Sequence, residues 1–272
     1  MAARRNPKKD KSARRRRPER GSASSGRQVR MSLETVSTLM LNAPPEALPL
    51  LGLAGVWLWN VAEDGKGAAY CVDGCLTLHY ALAEYGIDSR VEAVILDVEG
   101  NGTHSRYGGN GPHYNPNGTF NGHTVLIVPA ADRLLDPTLQ QYREVPDTEA
   151  ATSPLMVKLN GTSLGPAAME VARSDHRVRY HSVPEDLREA WRNAKITANE
   201  SAYRWAGANL AANVFDMLRS EFFREATLAS PYPRLHRLVQ ALGEAKTIAD
   251  RQGGYRFRPA GVTGEVRLAD IP

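Results

Sequence analysis

Between residues 72 and 98 the chain sets a helix and a long strand in immediate succession, and this unit limits the available folds more than any other segment. Val72, Cys75, Leu76, His79, Leu82 and Ala83 recur at three-to-four spacing, which puts them on one face of an amphipathic helix over 72–85. Gly86 follows where helices commonly stop. From Ile87 to Val98 the pattern changes to alternation. Val91, Ala93, Ile95 and Asp97 fall on one side and Glu92, Val94, Leu96 and Val98 on the other, the period of a strand.

The rest of the chain extends this pattern on both sides. Leu33 to Leu53 reads as one helix or two short ones, broken at Ala43-Pro44-Pro45, and a glycine-containing loop runs from Glu63 to Ala69. Residues 99–122 hold seven glycines and two prolines, so a long loop is expected there, of a length that usually serves a function or lacks order. Further strands are expected at 124–128, 133–135, 155–159, 168–171 and 178–181. Pro184, followed by Asp186, Leu187 and Trp191, opens a helical region to Arg224 with a break near 197–199. Ser230-Pro231-Tyr232-Pro233 closes it, and a last helix from Arg234 to about Ala249 precedes a glycine-rich tail with a short hairpin. Helix, then antiparallel strands, then helices is an α+β order. The expected organisation is a tail over 1–30 and one α+β domain over 31–272. Within that domain the core motif lies at 68–142 and a mainly helical region at 184–250.

Charge is divided unevenly. Residues 1–30 carry twelve Lys/Arg and two Asp/Glu, a balance of +10, so the remaining chain stands at −6 within a total of +4. Arg14 to Arg17 in a row, with Ser/Gly-rich flanks, cannot bury apolar surface and predict a disordered tail. Such a tail could make weak contact with nucleic acid or another polyanion by counterion release; otherwise it only aids solubility. The apolar run from Ala47 to Trp59 is interrupted by Pro49, Gly52 and Gly55 and is too short to span a bilayer. With no apolar stretch in the first thirty residues, a cytoplasmic protein with no membrane partner is expected.

Three residues carry the chemistry in this reading. Cys71 opens the predicted helix, His123 begins a strand, and Asp136 ends the next one. A helix N-terminus favours thiolate. An imidazole can take the thiol proton and return it to a leaving group, and a carboxylate can hold that imidazole in the right tautomer. A turn at 130–132 would let a hairpin set His123 beside Asp136. The backbone N–H of Cys71 is a candidate oxyanion donor; Asn60, Trp59 and Tyr70 are candidates for the second. Cys75 is the rival nucleophile, although it falls on the apolar stripe and reads as core. Trp57, Trp59, Trp191 and Trp205 also read as core. Tyr107, His113, Tyr114 and Phe120 give the glycine-rich segment an aromatic lining, suited either to a lid over substrate or to an ordinary surface loop. Cys71, Cys75 and His79 raise a zinc alternative, but eight residues of helix rise about 12 Å, so Cys71 and His79 cannot share an ion, and at most two of the three could bind one with His113 or His123 completing the site. Neither a metal nor a cofactor is expected.

These residues stand in a pattern that resembles the transglutaminase-like branch of the papain-type cysteine enzymes. The pattern is Cys71, then Gly86-Ile87-Asp88-Ser89-Arg90-Val91, then Gly122-His123-Thr124-Val125, then Leu135-Asp136-Pro137-Thr138. It is also similar to small actinobacterial proteins in which a Gln follows the series, as Gln141 does here. The resemblance covers roughly 68–142. It implies a papain-like core with the cysteine helix packed on an antiparallel sheet and a Cys71-His123-Asp136 triad. The implied reaction is thiol acyl transfer on an amide or ester substrate, with water as the default acceptor. Val125 stands where the family often has an aromatic residue, which weakens the case for protein cross-linking. A non-catalytic binding module that retains the fold, or a zinc-binding protein, is the alternative.

Overall fold

The computed structural model describes residues 31–64, 70–148, 153–161, 163–173, 175–184, 187, 194–249 and 254–272. The basic tail, residues 68 and 69, Asp186 and Trp191 therefore lie outside the described residues.

Three helices come first: α1 (Leu33–Leu41), α2 (Leu48–Glu63) and α3 (Cys71–Glu84). Pro49 sits in the first turn of α2, where its missing N–H costs nothing. That helix runs ten residues beyond the expected Leu53, because Gly52 and Gly55 lie on its buried stretch and are tolerated as close-packing sites rather than stops. α3 ends as the sequence predicts. Gly86 takes a left-handed φ of +68°, and Ile87 N–H and Gly86 N–H donate to the carbonyls of Leu82 and Ala83, both at 3.0 Å. These are the two bonds of a Schellman stop.

The sheet follows. β1 (Arg90–Gly100), β2 (Thr103–Tyr107), β5 (His123–Val128), β6 (Arg133–Asp136), β7 (Leu155–Lys158), β8 (Met169–Arg173) and β9 (His176–His181) form seven antiparallel strands in the order β7-β6-β5-β1-β9-β8. β2 also pairs with β1, along 96–100. The long β1 gives residues 90–94 to β5 and residues 95–100 to β9. The two edge strands approach each other, and the guanidinium of Arg173 on β8 donates to Ser153 O, just before β7, at 3.0 Å. The sheet is thus nearly closed. Val94, Leu96, Val125, Ile127, Leu134, Val178 and Tyr180 form one buried cluster on one of its faces. Leu126, Val128 and Leu135, on the other face, join the helical core.

The segment expected to be a long loop is largely structured. β2 returns along β1 through Asn101 and Gly102, both with positive φ, the Asn-Gly pair that a tight hairpin favours. β3 (His113–Tyr114) and β4 (Phe120–Asn121) make a second small hairpin.

The described C-terminal helices are α4 (Ala194–Ala198), α5 (Glu200–Leu218), α6 (Arg224–Leu228) and α7 (Pro233–Leu242). Gly207, Leu210, Ala211, Val214, Phe215 and Leu218 are the buried stripe of α5, and the phenol of Tyr85 donates to Ala211 O at 2.7 Å. The last helix stops at Leu242 rather than Ala249. Lys246–Ala249 instead forms β10, paired with β11 (Tyr255–Arg258), so the region 184–250 is not helical to its end. Arg219 helps enforce that change, donating to the carbonyls of Leu242 and Ala245 at 2.6 Å each. Trp57 is buried and Trp59 half-buried against the helical core, but Trp205 is 56% exposed and is not core. α5 buries the face of Gly207 and Leu210, and Trp205 lies off it.

Candidate active site

Register places the imidazole and the carboxylate. In the β5–β6 ladder Leu126 faces Leu135, so His123 and Asp136 are diagonal neighbours on one face of the sheet. His123 Nε2 and Asp136 Oδ2 are 2.7 Å apart and both side chains are fully buried. The other contacts of Asp136 hold it in place. Tyr180, on β9, donates its hydroxyl to Oδ2 at 2.8 Å, and Thr138 N–H donates to Oδ1 at 3.0 Å. A carboxylate so fixed presents one oxygen to Nε2.

Asp136 takes Nε2 and leaves the opposite nitrogen, Nδ1, for other partners. Cys71 lies near the His123 imidazole and acts on it after burial and Asp136. Cys71 is buried and packs with Val72, Leu76 and Ala93, and Phe120, Ile196 and Tyr203 cover that cluster. As the first residue of the helix, its backbone N–H has no intrahelical acceptor. Two groups meet Nδ1: the Tyr142 hydroxyl at 2.9 Å and the Gln141 amide nitrogen at 3.3 Å. The Gln141 amide also donates to Thr138 Oγ1 at 3.3 Å. When Nδ1 is unprotonated it accepts from such donors; when it carries a proton, the amide must present its oxygen instead.

The electrostatics favour a charged ring. Burial pushes the His123 imidazole down, but the charge and hydrogen bond of Asp136 and the contact with Cys71 outweigh it and raise the group to about 10. Cys75 behaves in the opposite way. Complete burial, then the neighbouring Cys71 and Asp136, push its thiol well above the usual range, and its Sγ donates to Thr124 O at 3.3 Å. Of the two cysteines, Cys71 is the one whose side chain acts on the imidazole.

The remaining expectations fall away from this centre. Asn60 is exposed on α2, and Trp59 packs toward the helical core. Tyr70 caps α3 and is 40% exposed, which keeps it adjacent to the thiol. His79 Nδ1 meets Ser89 Oγ at 2.9 Å and Cys75 bonds Thr124 O, so both other residues of the zinc alternative already have protein partners. Among the described residues no group of three or more His, Cys, Asp or Glu is arranged to hold a metal. His104 and His113 are exposed.

The aromatic lining is partly built into the site. Tyr114 and Phe120 pair across the small hairpin with ring centroids 5.1 Å apart. Burial and then the nearby Cys71 and Asp73 raise the Tyr114 phenol to about 12. Tyr203 donates to Asp73 Oδ1 at 2.6 Å. Tyr107 belongs instead to β2 and stacks on Tyr142, centroids 4.2 Å apart. Its hydroxyl donates to the buried carboxylate of Glu144 at 3.0 Å. Sequence reasoning missed Tyr142 and Tyr180. The alternation of Val178 and Tyr180 would have turned Tyr180 inward, but nothing local pairs it with Asp136.

Comparison with known proteins adds little. No protein-family model and no curated protein matches the chain. Among solved structures, a crystal structure described only as a genomics target aligns over 85% of this chain and 90% of its own at 14% identity, with a TM-score of 0.25, a likeness that carries no argument. Among the described residues, no helix is long and apolar enough to cross a membrane.

Proposed function

We propose that this protein is a thiol acyl-transfer enzyme of the transglutaminase-like, papain-type class, cleaving an amide or ester bond through an acyl-enzyme on Cys71. The observation that carries this reading is the buried His123–Asp136 pair, 2.7 Å between Nε2 and Oδ2, with Cys71 at the start of α3 near enough to act on the same ring. Nδ1 takes the proton of the Cys71 thiol, and the sulfur attacks the substrate carbonyl carbon. The oxyanion that forms lies next to the helix N-terminus, where the Cys71 N–H can donate to it. The imidazolium then protonates the leaving amine or alcohol as the C–N or C–O bond breaks. Water, deprotonated by His123, hydrolyses the thioester and returns the thiol. Asp136 holds the ring throughout.

The test is incubation of the wild-type chain with an activated acetyl ester, followed by peptide mass spectrometry. The expected result is an acetyl adduct on the peptide position of Cys71, absent in His123→Ala, with product release outlasting one equivalent. Acetylation at Cys75 alone, or at neither cysteine, would leave a binding module with this fold as the better description.

A further inference from the structure

Three candidates outside the triad stand out. His176 is 5% exposed, and neither ring nitrogen has a partner among the described residues. Both nitrogens are occluded, however, and among the described residues no group of His, Cys, Asp or Glu joins it to make a metal site. A concavity of about 730 Å³ beside Arg219 and Arg224 has nothing on it that points to a ligand. The third candidate is Tyr142, whose hydroxyl meets the nitrogen that must accept the thiol proton.

We infer that Tyr142 is a positioning residue that stabilises the Cys71 thiolate–His123 imidazolium pair by reversing its hydrogen bond. The inference rests on the acyl-transfer reading of the site. Before proton transfer Nδ1 is a lone pair, and the Tyr142 O–H donates to it across 2.9 Å. When the S–H bond breaks and the N–H bond forms at Nδ1, that nitrogen becomes a donor and the phenol oxygen must accept from it. Rotation about its C–O bond then turns the phenol hydrogen away from the ring and toward the Cys71 sulfur, whose charge is the nearest influence on this phenol after burial. A neutral hydrogen bond is exchanged for two charge-assisted ones, imidazolium to phenol and phenol to thiolate, and these are the stronger kind. The exchange therefore favours the ion pair. Net charge in the cluster does not change.

The phenol is held for this role. Its ring stacks on Tyr107, and Tyr107 is anchored by Glu144. The ring also meets His123 edge-on, with centroids 5.3 Å apart. The titratable groups facing the cluster are Cys71 and Cys75 from α3, Tyr107 from β2, Tyr114 from β3, Asp136 from β6, Arg173 from β8, Tyr180 from β9 and Glu144. Burial is the largest influence on the Tyr142 phenol and the anions around it add to it, so it remains protonated and able to donate.

The experiment is the rate of Cys71 alkylation by iodoacetamide from about pH 5.5 to 9.5 in wild type, His123→Ala and Tyr142→Phe, with thermal midpoints as the control for folding. Tyr142→Phe is expected to slow alkylation roughly three- to tenfold near pH 6–7, with the gap closing at high pH where the thiolate forms unaided. A merely structural role would lower the thermal midpoint without this pH dependence. If His123→Ala slows the reaction at neutral pH and Tyr142→Phe follows the wild-type profile, the inference fails and the acyl-transfer reading survives. If His123→Ala has no effect either, that reading fails with it. Should Tyr142→Phe not fold, 3-fluorotyrosine placed at position 142 by genetic-code expansion replaces it. This stronger donor of nearly the same size must speed alkylation at neutral pH, and an unchanged or slower rate overturns the inference.

Discussion

The hydroxyl of Tyr180 and the imidazole of His123 converge on one oxygen of Asp136, at 2.8 and 2.7 Å. That oxygen is doubly engaged, and the other accepts the Thr138 N–H. Replacing the carboxylate by an amide, in Asp136→Asn, leaves the shape but removes the charge that holds the buried imidazolium. We expect a loss of about 3 kcal/mol in stability, the usual consequence of breaking a buried pair. Alkylation of Cys71 near neutral pH should fall roughly tenfold or more. Urea midpoints and alkylation rates check the two effects separately.

Stability should depend on pH through His123. The ring is raised from an ordinary 6.5 to about 10 in the folded chain, so the folded form binds a proton that the unfolded form has lost between those values. The stabilisation is complete below about pH 6.5 and disappears as pH rises through about 10. Urea midpoints of Cys71→Ser, in which the thiol no longer titrates, should therefore fall relative to Cys71→Ser/His123→Gln as pH is raised from 6 toward 10. Because part of the shift comes from Cys71, the upper end of that window will lie lower in this background. A difference that grows with pH would contradict the charged ring.

Gly207 sets the distance between α5 and the helix that carries Cys71. A methyl group there would lie 2.6 Å from Tyr80 Cβ and 2.8 Å from both Ala81 N and Thr77 O. An alanine in a helix normally gains up to about 1 kcal/mol over glycine, but backbone atoms cannot yield as a flexible side chain does. Overpacking should prevail, and Gly207→Ala should lose about 1–2 kcal/mol net. It should also slow Cys71 alkylation by displacing α3 from β5. A stabilised variant with unchanged thiol reactivity would show that the interhelical gap is adjustable.

Arg234 ties the chain end to α3. Its guanidinium donates to Glu84 O, Ile271 O and Leu268 O at 2.9, 2.6 and 3.1 Å. Arg234→Met keeps much of the stem and removes the donors. A loss of about 2 kcal/mol is expected, together with protease cleavage after about residue 258 that is absent in wild type. Intact resistance to limited proteolysis would assign the docking of the last residues to packing alone.

The sequence makes Cys71, His123 and Asp136 legible because each stands at the end of an element whose period is plain. Gly86 gives the α3 stop, and the β-branched and aliphatic run from Thr124 to Val128 gives β5. What it conceals is pairing over long separations. Tyr180 meets Asp136 only because β9 pairs with β1, which in turn pairs with β5, and no local pattern encodes that order. The β1–β2 turn is a different kind of miss. Asn101-Gly102 was a readable hairpin signal, masked by the general glycine content of the segment. Likewise Gly243 and the β-branched Thr247-Ile248 pair marked the end of α7 before the apolar pattern faded.

β5 is bonded along both sides, to β1 and to β6, and His123 is its first residue. The imidazole and its carboxylate are therefore carried by two paired strands, and they separate only when that pairing opens. Amide hydrogens of Val125 to Val128 should exchange on the clock of global unfolding, and the pair will last as long as the fold does. The thiol is attached differently, at a helix tip seated by side-chain packing. Wear in this molecule begins on the sulfur side.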